Sequence, residues 1–160
     1  MIIKVSSIKQ VKNELCSINL ENTKLIVATS YNSNIDNIKN EDKLILYFDD
    51  VTMINKNSIN KDIARKINEF VSNVKFDKEK LYICCDSGIS RSSAIAAAIL
   101  RKYGQDEDII WKNYCYQPNM LVYKVLCEEF NLKNSFVRLK YKESINKKAL
   151  KRKIKESRKA

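Results

Sequence analysis

The sequence predicts an α/β fold in which a central, mainly parallel sheet of about four to five strands is flanked by helices on both faces. Two observations lead to this prediction. Short apolar runs of strand length alternate along the chain with longer runs whose apolar residues recur every three or four positions. With 160 residues, 44% of them hydrophobic, the chain is also long enough to bury one sizeable core.

The N-terminal part of the chain contains the first two predicted strands. Residues 2–5 predict a short strand, and Ser6 or Ser7 then caps a helix that runs to about Cys16 with apolar residues at helical spacing. Residues 24–29 predict a buried strand, because positions 25–28 form an uninterrupted apolar run.

A third strand and a long amphipathic helix are predicted next. The polar segment 30–43 predicts a loop, and residues 44–48 predict a buried strand that ends at Asp49 and Asp50. A polar turn at residues 55–58 leads into a helix over residues 59–74.

The second half of the chain begins with the strand that matters most for function. Residues 81–84 predict this strand, and after a short loop an alanine-rich helix runs to about Tyr103 and ends at Gly104. Asp106 starts another short helix. Pro118, the only proline, is expected in the first turn of a helix that runs to about Phe130.

Composition excludes several classes of enzyme. The chain contains no histidine, so it has no Ser-His-Asp triad, no Cys-His protease pair and no His-Glu-x-x-His zinc helix. The five cysteines form no Cys-x-x-Cys pair and no disulfide framework, so reduced thiols, no metal site and no cofactor are expected. No apolar run approaches the length of a membrane span, and the N-terminus does not match a signal peptide, so we expect a cytoplasmic protein.

The segment Cys85-Asp86-Ser87-Gly88-Ile89-Ser90-Arg91-Ser92 combines a nucleophile with groups that bind an anion. A loop between a strand and a helix N-terminus directs backbone N–H groups and the helix dipole toward a bound phosphate. In that field Cys85 is expected to be a thiolate nucleophile at the mouth of the loop. The planar guanidinium of Arg91 can bind two phosphate oxygens. The remaining oxygens would be bound by backbone N–H groups of Asp86, Ser87, Gly88, Ile89, Ser90 and Arg91.

This segment resembles the Cys-x5-Arg signature loop of the protein tyrosine phosphatase superfamily. The sequence Ile-Cys-Cys-Asp-Ser-Gly-Ile-Ser-Arg-Ser-Ser-Ala is most similar to the small dual-specificity-like branch, whose pattern is His-Cys-x-x-Gly-x-Ser-Arg-Ser-x-Ala. The similarity is dense over residues 81–100 and looser over residues 44–130. One position departs from the pattern, because Cys84 stands where the family has the histidine that helps to hold the loop and activate the thiol.

The resemblance implies roles for residues outside the loop as well. The order Tyr47-Phe48-Asp49-Asp50 is similar to the family's aromatic-x-Asp arrangement, so Asp50 is the first choice for the general acid and Asp49 the alternative. Ser92 would hydrogen-bond the departing thiolate. Asn119 would brace the signature loop from behind. Cys84 is either a buried, inert thiol or a partner for a protective disulfide with Cys85 or another thiol.

The C-terminal segment differs in composition from the rest of the chain. Residues 138–160 contain 11 Lys and Arg and two Glu, so this segment has a net charge of +9 and carries most of the chain's net charge of +11. We therefore expect a phosphatase-like catalytic domain over residues 1–132 and a basic tail over residues 133–160 that is helical or partly disordered. This tail is either a solvated helix or a binding site for nucleic acid or another acidic partner.

The function predicted from these residues is hydrolysis of a phosphomonoester through a phosphocysteine intermediate. The substrate would be a phosphorylated protein, through phosphotyrosine and also phosphoserine or phosphothreonine, or a small phosphomonoester. Two other functions stay open at this point. One is a module that binds phosphate without turnover, and the other is an RNA- or nucleotide-directed phosphatase guided by the basic tail.

Overall fold

The computed structural model describes residues 1–15, 22–30 and 42–158. Its strands are β1 (Ile2–Ser7), β2 (Thr23–Thr29), β3 (Lys43–Tyr47) and β4 (Lys80–Cys85). Its helices are α1 (Ile8–Leu15), α2 (Lys61–Ser72), α3 (Arg91–Lys102), α4 (Asp108–Trp111), α5 (Met120–Glu129) and α6 (Phe136–Ser157). The predicted end of the first helix at Cys16 and most of the predicted loop 30–43 lie outside the described residues.

The described strands form one parallel sheet in the order β1-β4-β2-β3. β4 therefore lies inside the sheet, with Cys85 paired to Ser7 of β1 and to Ala28 of β2. The predicted α/β fold with a parallel sheet is confirmed. In such sheets ligands bind beyond the carboxyl ends of the strands, which is where Cys85 lies.

Helices cover both faces of the sheet because the inner strands are apolar on both sides. Residues of β2 alternate, so that Leu25 and Val27 pack with α1, while Ile26 and Ala28 pack with the core under α2, α3 and α5. The same alternation separates the neighbours Cys84 and Cys85. Cys84 belongs to the α1 side, and Cys85 to the opposite side.

Two of the helix starts that differ from the prediction are defined by asparagine caps. The helix predicted over residues 59–74 is α2, which begins after Asn60, whose side chain accepts a hydrogen bond from the Ile63 N–H at 2.9 Å. The prediction for Pro118 was wrong. Asn119 is the N-cap of α5, so Pro118 precedes the helix and is not in its first turn.

The start of α1 follows the predicted pattern more closely. Ser7 is its cap, since the Ser7 hydroxyl accepts from the Gln10 N–H at 3.1 Å while the Gln10 side chain accepts from the Ser7 N–H at 2.9 Å. This reciprocal pair is a capping box. It fixes the direction in which the chain leaves β1, next to the loop after β4.

α3 is buried along most of its length, from Arg91 to Leu100, and its run of alanines allows it to pack closely on the sheet. It ends at Gly104, as predicted. The backbone there has φ +67°, and the N–H groups of Gly104 and Gln105 bond to the Arg101 and Leu100 carbonyls. α3 is therefore fixed in position, and its N-terminus lies directly under the loop.

The basic C-terminal segment forms one helix, α6, whose first half packs on α4. Asn146 donates to the backbone carbonyls of Trp111 at 3.2 Å and Tyr116 at 2.9 Å. Arg138 and Lys142 pair with Glu107 at 2.5 and 3.1 Å. Across residues 1–15, 22–30 and 42–158, no helix combines the length and the apolar character that a membrane crossing requires.

Candidate active site

The loop between β4 and α3 closes tightly over the end of β1. Its turn requires glycine at position 88, where φ is +73° and a Cβ atom would lie 2.4 Å from the backbone nitrogen of Ser7. The hydroxyl of Ser93 bonds to the carbonyl of Ile89 and fixes the last part of the loop to the first turn of α3. The sequence therefore makes a narrow cradle at a helix N-terminus.

The sulfur of Cys85 lies inside this cradle and interacts with two groups of the loop. The Gly88 N–H donates to Sγ at 3.2 Å, and the Ser92 hydroxyl lies 3.1 Å from it. Cys85 is only 1% exposed. The sequence predicted that this sulfur lies at the mouth of the loop, and that prediction was wrong. The loop folds back over the sulfur to make these contacts, so the sulfur lies at the base of the cradle.

Cys84 does not take part in the cradle. It is buried beside Val11 and Val27 on the other face of the sheet. Burial, reinforced by the nearby charges of Cys85 and Asp86, raises the pKa of the Cys84 thiol to about 12. Cys84 is therefore a neutral group at physiological pH and cannot supply the positive charge of the family histidine. Cys84 and Cys85 are both free thiols.

The guanidinium of Arg91 is buried and held by several contacts. Its Nη1 donates to the Phe48 carbonyl at 2.6 Å, and its centre lies 5.8 Å from the centroid of the Phe48 ring. Its Nη2 pairs with the Asp86 carboxylate at 2.5 Å. The arginine of the signature is thus anchored by the end of β3 and by the residue that follows the cysteine.

The side chain of Asp86 has contacts that the sequence did not predict. Its carboxylate accepts a hydrogen bond from the Thr29 hydroxyl at 2.7 Å and further bonds from the backbone and hydroxyl of Ser30 at 3.4 Å. From the sequence, only the backbone N–H of Asp86 was expected to act. Thr29 could have indicated this contact, because it is a polar residue at the end of a strand predicted to be buried.

The two candidate acids have different positions. One carboxylate oxygen of Asp50 accepts hydrogen bonds from the Ser90 hydroxyl at 2.8 Å and from the Asn119 amide at 2.7 Å. Asp49 instead bonds to the amide of Asn57 at 3.2 Å. Only Asp50 of this pair therefore contacts the signature loop in the described structure.

Asn119 connects three parts of the site. Its amide also donates to the Val51 carbonyl at 2.9 Å, while its side-chain oxygen accepts from the Leu121 N–H at 2.9 Å as the N-cap of α5. Its own N–H bonds to the Ser90 carbonyl at 3.3 Å. The acid loop, the signature loop and α5 are thereby fixed relative to one another.

The remaining loop residues lie around the cradle. Asp86, Ser87 and Ile89 have exposed side chains, while Gly88 is buried against β1. Ile89 is also fixed from outside, because its carbonyl accepts from the Gln117 N–H at 3.1 Å. Within residues 1–15, 22–30 and 42–158 no cluster of three or more His, Cys, Asp or Glu residues could hold a metal ion.

No family model and no curated protein sequence matches the chain. Among solved structures it is similar to the human tyrosine phosphatase-like serine/threonine/tyrosine-interacting protein, with 18% identity, a TM-score of 0.56, and coverage of 79% of this chain and 89% of that one. A further match is PTPMT1 in complex with PI(5)P, with 13% identity, a TM-score of 0.46 and coverage of 94% of both chains.

Proposed function

We propose that this chain, which has the fold of the protein tyrosine phosphatase superfamily, hydrolyses phosphomonoesters through a phosphocysteine intermediate. The observation that supports this most is the environment of the Cys85 sulfur. It lies at the N-terminus of α3, bonded to the Gly88 N–H and the Ser92 hydroxyl, in the same loop as a buried arginine. All of these groups stabilise a thiolate or an incoming phosphate.

The first step forms a bond between Sγ of Cys85 and phosphorus as the bond from phosphorus to the ester oxygen breaks. The leaving oxygen takes a proton from the Asp50 carboxyl, which is the acid that contacts the loop. Arg91 and the loop N–H groups bind the equatorial oxygens, whose charge they stabilise in the transition state. The products of this step are an alcohol and a phosphocysteine.

The second step regenerates the enzyme. Water attacks the phosphorus and gives its proton to the Asp50 carboxylate, while the bond between sulfur and phosphorus breaks and Cys85 leaves as a thiolate. The Ser92 hydroxyl, 3.1 Å from the sulfur, donates to it as the negative charge returns. Asn119 holds Asp50 in place through both steps.

The direct test is hydrolysis of p-nitrophenyl phosphate by the wild type and two matched cysteine variants. Cys85→Ser should abolish turnover, because a serine hydroxyl is a far weaker nucleophile than a thiolate. Cys84→Ser changes the neighbouring thiol, which points to the other face of the sheet, and should stay active. Vanadate should inhibit the wild type. Full activity of Cys85→Ser would contradict the proposed function.

A second candidate function is phosphate binding without turnover. It is favoured by the 1% exposure of Cys85 and by the neutral Cys84 in the position of the family histidine. Titration calorimetry with a phosphotyrosine peptide distinguishes the two functions. Binding without release of phosphate supports this second function, and release of phosphate excludes it.

We also propose that the outer face of α6 binds a polyanionic partner, with RNA as the first choice. Six of the exposed cations on α6 and its C-cap recur at helical spacing and so lie on one side of the helix: Lys140, Lys147, Lys148, Lys151, Lys155 and Arg158. Replacing Lys147, Lys148 and Lys151 by Glu leaves the packed face of α6 intact. It should abolish RNA affinity, which in the wild type should fall steeply with salt. An unchanged affinity would exclude this face as the binding surface.

A further inference from the structure

We propose that Asp86, the residue directly after the candidate nucleophile, is a positioning residue that orients the Arg91 guanidinium toward the phosphoryl group. This role rests on the proposed phosphatase function, but it concerns a side chain for which the sequence predicted no function. In this role the Asp86 carboxylate holds Arg91, the arginine of the same loop.

The first support is the set of contacts around the guanidinium. Nη1 is directed to the Phe48 carbonyl at 2.6 Å, and Nη2 to the Asp86 carboxylate at 2.5 Å. Arg91 is 4% exposed, and its Nε atom has no hydrogen-bond partner among the residues that the structure describes. A buried donor without a partner is unfavourable, and an arriving phosphate oxygen would satisfy it. Each terminal nitrogen thus has an anchoring bond, and the Nε–H is a donor that is open to the ligand.

The second support is that Asp86 is itself held from the side of the sheet. β2 and β4 pair with Ala28 opposite Cys85, so the next residues, Thr29 and Asp86, lie side by side. The buried Thr29 hydroxyl donates to one carboxylate oxygen at 2.7 Å, and the other oxygen pairs with Arg91. The carboxylate therefore forms a bridge from β2 to the guanidinium.

The third support is that the sulfur and the carboxylate have different partners. Sγ of Cys85 interacts with the Gly88 N–H and the Ser92 hydroxyl, whereas the Asp86 carboxylate interacts with β2, Ser30 and Arg91. Asp86 thus contacts the guanidinium from the β2 side of the loop. This arrangement favours a fixed support for Arg91 over a carboxylate that takes the place of the phosphate.

Two variants of Asp86 separate its charge from its shape. Asp86→Ala removes both the charge and the acceptors, and kcat should fall about 100-fold, as expected when a catalytic group loses its alignment. Asp86→Asn keeps one acceptor for the Thr29 hydroxyl, and its loss in kcat should be smaller. In both variants KM should change much less than kcat, because binding still uses the loop N–H groups. Asp77→Asn, an exposed aspartate in the turn before β4, is the matched control.

A readout that does not require turnover is the NMR signal of the Arg91 Nε–H. The chain has six arginines, and the signal can be assigned by its loss in Arg91→Lys. The wild type should give a sharp Nε–H signal that shifts on addition of inorganic phosphate, and Asp86→Ala should broaden it. Thermal unfolding of each variant establishes that the protein is folded.

The outcomes distinguish this role from the proposed function. If the wild type is inactive, the phosphatase proposal fails, while the NMR comparison still decides the role of Asp86. The role is excluded if folded Asp86→Ala keeps a sharp Nε–H signal with the wild-type response to phosphate. It is equally excluded if Asp86→Ala matches or exceeds the wild type in kcat, which would indicate that the carboxylate restrains the site.

Discussion

Asn119 donates a 2.7 Å hydrogen bond to Asp50 across a sequence separation of 69 residues. The same side chain caps α5, and its backbone N–H bonds to the Ser90 carbonyl in the signature loop. A single residue thus ties the candidate acid to the loop that holds the candidate nucleophile. We expect Asn119 to have both a structural and a chemical role, and suitable substitutions separate the two.

Replacing Asn119 by Asp should preserve the cap and impair the chemistry. The carboxylate of Asn119→Asp can still accept from the Leu121 N–H, but it loses the donor to Asp50 and places a second negative charge beside it. We expect kcat with p-nitrophenyl phosphate to fall by about tenfold, which is less than the roughly 100-fold or greater loss expected when a general acid is removed, because Asp50 itself is still present. Asn60→Ala is the matched control, because it removes the cap of α2 without contact to Asp50. It should lose about 1 kcal/mol of stability and little activity.

Gly88 cannot be replaced without disturbing the loop. In Gly88→Ala the new Cβ would lie 2.4 Å from the Ser7 nitrogen and 2.5 Å from the Ser6 carbonyl carbon, at a φ of +73°. The loop must therefore shift, and activity and phosphate binding should be lost. Gly104→Ala is the control, since its φ is +67° but no atom lies within 4 Å of the new Cβ. It should cost only about 1 kcal/mol by thermal unfolding and keep activity. If both variants had equal effects on activity and thermal stability, the close contact between position 88 and the backbone of Ser6 and Ser7 would be contradicted.

Glu107 should make the stability of the protein depend on acid pH. Burial alone would raise the pKa of Glu107, but hydrogen bonds from Tyr123, Trp111 and Arg138 and the charge of Lys142 outweigh it, and its pKa lies below the ordinary 4.5. The unfolded chain therefore takes up a proton before the folded one does. The stabilisation by this carboxylate is complete above pH of about 4.5 and is lost as the pH falls through the lower folded pKa.

The variant Glu107→Gln tests this dependence. It leaves Arg138 without its buried counter-ion, while Lys142 keeps its pair with Asp108, so the free energy of unfolding at neutral pH should fall by about 2 kcal/mol. Its stability should also change less than that of the wild type between about pH 5 and pH 3. Denaturant unfolding across this range gives both quantities. Glu128→Gln, on the exposed part of α5, should behave like the wild type.

Cys84 should be unreactive, and Cys115 should react readily. With a pKa of about 12, caused mainly by burial, the Cys84 thiol stays neutral and hidden below that pH. Iodoacetamide at pH of about 8 should therefore modify the exposed Cys115 and leave Cys84 unmodified in the folded protein, as read by peptide mass spectrometry. Early modification of Cys84 would show that the α1 side of the sheet opens in solution.

The fold class and part of the candidate site could be predicted from the sequence, because they depend on residues that are close together in the chain. The α/β class follows from alternating apolar runs, and the placement of Cys85, Arg91 and Ser92 around one loop follows from their spacing. The presence of α3 after the loop and its end at Gly104 also depend on local signals.

Other features depend on strand order, which local patterns do not encode. Only the insertion of β4 between β1 and β2 places Asp86 beside Thr29. The cap at Asn119 and its bond to Asp50 require α5 to approach the end of β3. The burial of the Cys85 sulfur depends on how far the loop folds over it. These contacts join distant parts of the chain, so residue patterns gave little indication of them, except for Asn119, which the family resemblance placed against the signature loop.

The most direct test of the central claim is to trap the covalent intermediate. The wild type is mixed with p-nitrophenyl phosphate, quenched with acid within milliseconds and digested, and the peptide that contains Cys84 and Cys85 is sequenced by mass spectrometry. We expect a burst of p-nitrophenol and a phosphate on the sulfur of Cys85, absent in Cys85→Ser and present in Cys84→Ser. Turnover without this adduct, or an adduct on Cys84, would contradict the assignment of Cys85 as the nucleophile.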